Sequence, residues 1–303
     1  MRLATFCGLA ACAAALLSAP GASAFCRTTT CNPSDPKQAC ELADNGLCVT
    51  SGTPLGWRSS CVTVAVQQMG SPSNGFSYDD IANVVEQGFG AWLGASCAGG
   101  KPPSIDVKLI GPVECGESEY NKTAGNANIV LFRDGPWPYK GAQNALGLTT
   151  TRFDTTNGDL WDADIELNGA DGNFSIGDPI TGDDLLSVLT HESGHFLGLS
   201  HSTDDAATMR PVYNPQRDGT SFRSLAPDDV AGICAVYPPD RKPATASCDN
   251  RHGFSPQCGD DQTPASESKG CSVSRAGGER APLALLALLA ACSVRVARRR
   301  RIV

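Results

Sequence analysis

Apolar and polar positions alternate over CVTVAVQ (61–67), a stretch rich in β-branched residues, and this period of two predicts a strand. The period then changes. Ile81, Val84, Val85, Phe89 and Trp92 recur at helical spacing, and Ser77 with Asp80 has the form of a capping box, so a helix is expected over 76–94. SIDVKLI (104–110) and NIVLFRD (128–134) read as two more strands. ALGLTTTRF (145–153) and DADIELN (162–168) read as a further pair around a turn at Asn157-Gly158. A second helix is expected within 181–200, with Thr181 and Asp184 available to cap its start. Leu185, Leu189 and Phe196 share one of its faces, and Gly198 stops it. A third, short helix over 225–237 carries Pro227 in its first turn. Strand, helix, further strands, helix and a closing helix make an α+β domain with a mixed sheet backed by helices.

Composition changes the picture mainly at the ends. The 303 residues carry a formal net charge of −8. Between Phe25 and Gly270, however, there are 16 Lys+Arg against 31 Asp+Glu, a balance of −15. A body that acidic repels a polyphosphate, which sets nucleic-acid binding aside. Residues 1–24 have an early Arg, an apolar run and a small-x-small ending at Ala22-Ser23-Ala24, the pattern of a cleaved signal peptide. A membrane-spanning anchor is the competing reading, and the shortness of the run with its cleavage site weighs against it. Ten cysteines lie between Cys26 and Cys258, and an even number in an exported chain predicts disulfides. Sequence proximity would pair Cys26 with Cys31, Cys40 with Cys48, and Cys248 with Cys258, although spacing does not determine connectivity. A zinc site built from cysteines is the weaker alternative, for want of a tight C-x-x-C pair among the ten. Residues 25–55 read as a loop-rich, disulfide-stapled lead-in, and 239–270 as a Pro- and Ser-rich linker.

Three of the four histidines fall within HESGHFLGLSH (191–201). On a helix His191 and His195 lie about 40° apart around the axis and can face one ion. Gly198 tolerates a sharp change of direction that can return His201 to the same point. Three neutral imidazoles with an open fourth position make a catalytic zinc site rather than a closed structural one. Glu192 is placed to act as a general base on the activated water.

This eleven-residue stretch resembles H-E-x-x-H-x-x-G-x-x-H, the signature of the metzincin metallopeptidases. ATMRPVY (207–213) resembles their Met-turn. Ser202, the Met209-x-Pro211-x-Tyr213 pattern and APDDVAGICAVYP (226–238) look most like the matrixins. The resemblance spans residues 56–238 and implies a catalytic domain with a twisted mixed five-stranded sheet, a backing helix and an active-site helix. A small C-terminal subdomain would carry the Met-turn and the closing helix. By the same resemblance His191, His195 and His201 would bind one catalytic zinc, with Glu192 as general base. Met209 would form an apolar floor, and Pro211 and Tyr213 would wall the pocket for the residue after the cut bond. The strand at 145–151 would pair with an extended protein or peptide substrate. Asp162 and Asp164 stand where the family can bind calcium. Two features of the family are missing: histidines upstream of 191 for a second, structural zinc, and a Pro-Arg-Cys-Gly propeptide core. The implied function is that of an exported zinc endopeptidase. A zinc-binding surface module is the rival reading, and Glu192 disfavours it.

The chain ends in Cys271, a Gly-containing spacer, a 14-residue apolar run at 281–294 and four arginines at 298–301. An apolar run closed by arginines reads as a membrane stop. The whole segment 271–303 resembles the C-terminal sorting signals of myxobacterial surface proteins. That resemblance implies transient membrane association, a sorting peptidase as partner, and a final place at the cell surface or outside the cell.

Overall fold

The computed structural model describes residues 24–44, 46–259 and 273–275. The signal-like segment up to residue 23, and the tail other than 273–275, lie outside the described residues. In chain order the elements are β1 (Cys26–Arg27), β2 (Cys61–Gln67), α1 (Tyr78–Leu93), β3 (Asp106–Val113), β4 (Ile129–Phe132), β5 (Gly147–Phe153) and β6 (Leu160–Leu167). There follow β7 (Phe174–Ser175), β8 (Asp183–Asp184), α2 (Leu185–Phe196), β9 (Leu199–Ser200), β10 (Val212–Tyr213), α3 (Pro215–Asp218), α4 (Pro227–Val236) and β11 (Ser274–Arg275).

The five longest strands form one sheet in the order β3-β2-β4-β6-β5. The first four run parallel, while β5 runs antiparallel to β6, so an antiparallel strand forms one edge. The expected mixed five-stranded α+β architecture is present. α1 starts on the capping box of Ser77 and Asp80 and buries Ile81, Val84, Val85, Phe89 and Trp92. It packs on α2, where the Trp92 indole N–H donates to the Thr190 carbonyl at 2.7 Å and Phe89 meets Phe196 edge-on. A single large apolar cluster joins α1, α2 and one face of the sheet.

Several expectations need correction. Asp184 alone caps α2, accepting from the Ser187 N–H at 3.0 Å. Thr181 lies outside the helix, because Asp183 and Asp184 first pair with β7. Burial of α2 extends well beyond the expected apolar face of Leu185, Leu189 and Phe196, since every residue from Ser187 to Phe196 is buried. The helix is surrounded by α1, β5, β6 and the segment around Phe222. None of the three proximity pairs of cysteines forms. The bonds are Cys26–Cys48, Cys31–Cys40, Cys61–Cys248, Cys97–Cys234 and Cys115–Cys258. Three of these join residues more than 130 positions apart, a reach that sequence distance does not reveal.

The stretch read as a linker also differs, since residues 239–259 are strapped to the domain. Cys248 and Cys258 tie it to the start of β2 and to the loop after β3. The Arg241 guanidinium donates to the carbonyls of Trp57, Ser59 and Ser104 at 2.7–2.9 Å. Cys258 helps close a small apolar cluster with Ala65, Val113, Ala127, Ile129 and Leu131.

Candidate metal centre

The local fold around 191–213 brings the three histidines to one point. His191 and His195 leave α2 one turn apart. Gly198 then takes φ +95°, and a Cβ there would come 2.9 Å from the Leu55 carbonyl oxygen, so only glycine makes this turn without strain. The turn leads through β9 to His201. Among the described residues these three form the one cluster of metal-ligating side chains, with their ligand atoms within 4.8 Å of one another. His191 Nε2 and His195 Nε2 lie 3.0 Å apart.

Each helical histidine is oriented from behind. His191 Nδ1 lies 2.7 Å from the Thr208 carbonyl and His195 Nδ1 lies 2.9 Å from the Leu199 carbonyl. A carbonyl can only accept, so each Nδ1 carries the proton and each Nε2 turns a lone pair to the centre. Burial holds both imidazoles neutral. It lowers the pKa of His195 to about 4 and puts His191 well below its ordinary value, where the neighbouring imidazoles add to the effect. Two neutral, pre-oriented imidazoles with that of half-buried His201 converging on one point are a donor set suited to zinc.

The Glu192 side chain reaches β5. Its carboxylate accepts from the Thr149 hydroxyl at 2.6 Å and from the Val273 backbone N–H at 3.2 Å. Burial raises its pKa to about 8, against the lowering effect of both hydrogen bonds. Gly147 leaves the space that this side chain fills, and a Cβ there would meet Glu192 at 2.9 Å. Sequence reasoning missed Thr149, Gly147 and Val273, because all three meet Glu192 only across the sheet and from the distant tail.

Met209 lies under α2 in the apolar core. A Cβ added at Gly194, between the two helical histidines, would come 2.3 Å from its sulfur. Its turn is held by Asp229, another residue not foreseen, whose carboxylate accepts from the N–H groups of Thr208 (2.7 Å), Met209 (3.0 Å) and Ala226 (2.8 Å). The same turn aims the Thr208 carbonyl at His191. Asp229→Ala is therefore expected to cost about 3 kcal/mol by stranding buried donors, and to weaken zinc affinity roughly 10- to 100-fold through the loosened His191. Denaturant unfolding and competitive zinc titration measure the two effects; unchanged zinc affinity would show that the turn does not orient the ligand.

Tyr213 is fully buried, and its hydroxyl donates to the Gly219 carbonyl at 2.6 Å. The Pro211 carbonyl faces the backbone N–H of Ser274 at 3.2 Å. Asp162 and Asp164, expected as candidate calcium ligands, are instead joined to Arg152, whose Nη1 lies 2.7 and 3.0 Å from them. Both carboxylates are fully buried.

Comparison with known proteins agrees with this geometry. Residues 126–238 match the sequence model of the matrixin family. Matrix metalloproteinase-C of Caenorhabditis elegans is 27% identical over 208 residues, covering 65% of this chain and 31% of that protein. Metalloendoproteinase 1-MMP of Arabidopsis thaliana is 36% identical over 104 residues, covering 32% and 26%. Stromelysin-1 of Rattus norvegicus is 46% identical over 67 residues, covering 22% and 14%. The aligned stretches thus span less than a third of each relative's own length.

Proposed function

We propose that this chain, a matrixin-like metzincin, is an exported zinc-dependent endopeptidase in which Glu192 is the general base. The observation that carries the reading is the convergence of three imidazoles, two of them fully enclosed, with a buried carboxylate held against the edge strand β5. His191, His195 and His201 would hold the ion. Zinc bound there supplies Lewis acidity, lowering the pKa of a water toward 7 and polarising the scissile carbonyl.

The protein's own groups do the rest. An extended substrate adds a strand against the edge strand β5 and pairs with its backbone. Pro211 and Tyr213 flank the pocket for the side chain after the cut bond. Glu192 takes the proton of the attacking water and passes it to the leaving amine. Its high pKa suits that shuttle, and Thr149 keeps it aimed at the cleft. Burial of His191, Glu192 and His195 away from bulk water strengthens each of these electrostatic contacts.

Five disulfides fit an oxidising compartment outside the cytoplasm. Export would proceed by cleavage after Ala24. The Phe25 nitrogen lies 3.0 Å from the Asp228 carboxylate, so a new terminal ammonium would find a counter-charge in place. Asp228 also accepts from the hydroxyl of Ser202, next to His201.

The reading is tested by mass spectrometry of an unfolded protein mixture incubated with the enzyme. Cuts are expected that stop on chelation and return with added zinc. A folded, zinc-loaded protein that makes no cuts would leave only the binding-module reading. A finer test uses Gly147→Ala, whose methyl displaces Glu192. Turnover should fall about 10- to 100-fold, as misplacement of a reacting group by about 1 Å does, while the thermal midpoint moves little. Full activity in this variant would mean that Glu192 is not held by that contact.

A further inference from the structure

The cleft beside Glu192 is filled by this chain's own tail. Val273 is fully buried and joins the same apolar cluster as Leu146, Val188, Tyr213 and Phe222. Its carbonyl accepts from the Leu146 N–H at 2.8 Å, and the next residue, Ser274, donates its N–H to the Pro211 carbonyl at 3.2 Å. The short strand β11 runs parallel to β10, with Ser274 opposite Val212 and Arg275 opposite Tyr213. On its other side Ser274 forms an antiparallel bridge with Ala145. The segment therefore bonds through its main chain to both walls of the cleft, as an added strand does.

One contact sets the register. The Val273 backbone nitrogen lies 3.2 Å from Glu192 Oε1. That is hydrogen-bond reach between the proton-carrying carboxylate and the nitrogen of one particular peptide bond. We infer that the enzyme cuts itself in cis at the Ser272–Val273 bond, and that Val273–Arg275 lies in the cleft as the leaving-side half of this internal substrate. The inference rests on the endopeptidase reading and names its first substrate. A water oxygen adds to the Ser272 carbonyl carbon, and the bond to the Val273 nitrogen breaks. Glu192 delivers the proton it took from that water to the departing nitrogen. One water is consumed, leaving a carboxylate on Ser272 and an amine on Val273.

The tether favours a reaction within one molecule. Cys258 is fastened to Cys115, and only 14 residues separate it from Val273. A connection that short gives an effective concentration on the order of millimolar. Until the cut, the segment blocks the site to other substrates. Afterwards the released piece, 273–303, carries away the apolar run and the four terminal arginines.

The test uses the full chain as wild type, Glu192→Gln and Val273→Asp. Intact mass and N-terminal sequencing should find a fragment beginning at Val273 in the wild type. Its rate of appearance should not change over a 100-fold dilution. Glu192→Gln should leave the bond whole, and Val273→Asp should slow its cleavage at least 10-fold by placing a charge in the apolar pocket. Occupancy has its own readout without zinc. In metal-free Glu192→Gln, amide exchange at 145–149 and 211–214 should be slower than in the Glu192→Gln/Val273→Asp double variant. A wild type that cuts added protein but keeps its Ser272–Val273 bond overturns the inference and spares the endopeptidase reading. So does cleavage whose rate scales with protein concentration, or equal exchange in the two metal-free proteins. A wild type that cuts neither itself nor added protein ends both.

Discussion

Replacing Glu192 by Gln is expected to lower kcat against an unfolded protein substrate by roughly 10²- to 10⁴-fold, the usual contribution of a positioned general base. The amide is nearly isosteric and can keep the Thr149 hydroxyl as a donor to its oxygen. It cannot accept a proton from water and return it to an amine. Zinc content should stay at one ion per chain, because the carboxylate is not part of the ligand cluster. The measurement is turnover alongside metal analysis of the same preparation. Loss of zinc together with activity would make Glu192 a ligand or a folding determinant; retained activity would remove it from the chemistry.

The second large effect is on stability. Arg152→Met should cost about 3–5 kcal/mol near pH 7.5, because it leaves two buried carboxylates without their cation. Asp164 already has its pKa raised to about 6 by burial, and Asp162 lies well above its ordinary value through burial and the neighbouring charge. For a carboxyl whose folded pKa is raised, stability is fully present below the unfolded pKa near 4. It is lost as pH rises through the folded pKa. Without the guanidinium both folded values rise further, so the cost of the substitution should shrink between pH 7.5 and pH 5. Urea unfolding at the two pH values measures this. A cost that is equal at both, or below about 1 kcal/mol, would show that Arg152 does not hold the pair.

Much of the site was legible because its chemistry is local. His191, Glu192 and His195 sit on one helix whose geometry follows from four-residue spacing, and Gly198 and His201 complete the cluster within six more residues. The strands and helices of the domain were legible too, since alternation and helical spacing are properties of neighbouring residues. The sequence by itself therefore determined the element order, the mixed α+β class, the histidine cluster and the even cysteine pairing. Four matters were decided only by the tertiary structure. The disulfide map joins Cys61 to Cys248 and Cys115 to Cys258 because the 239–259 strap crosses the sheet. α2 is buried on all sides because other elements surround it, which its own apolar pattern does not record. Asp162 and Asp164 meet the Arg152 guanidinium across the β5–β6 pairing. Val273 reaches Glu192 from 81 residues away. In each case the partner is distant along the chain, and only packing brings it within the few ångströms over which hydrogen bonds, ion pairs and apolar contacts act.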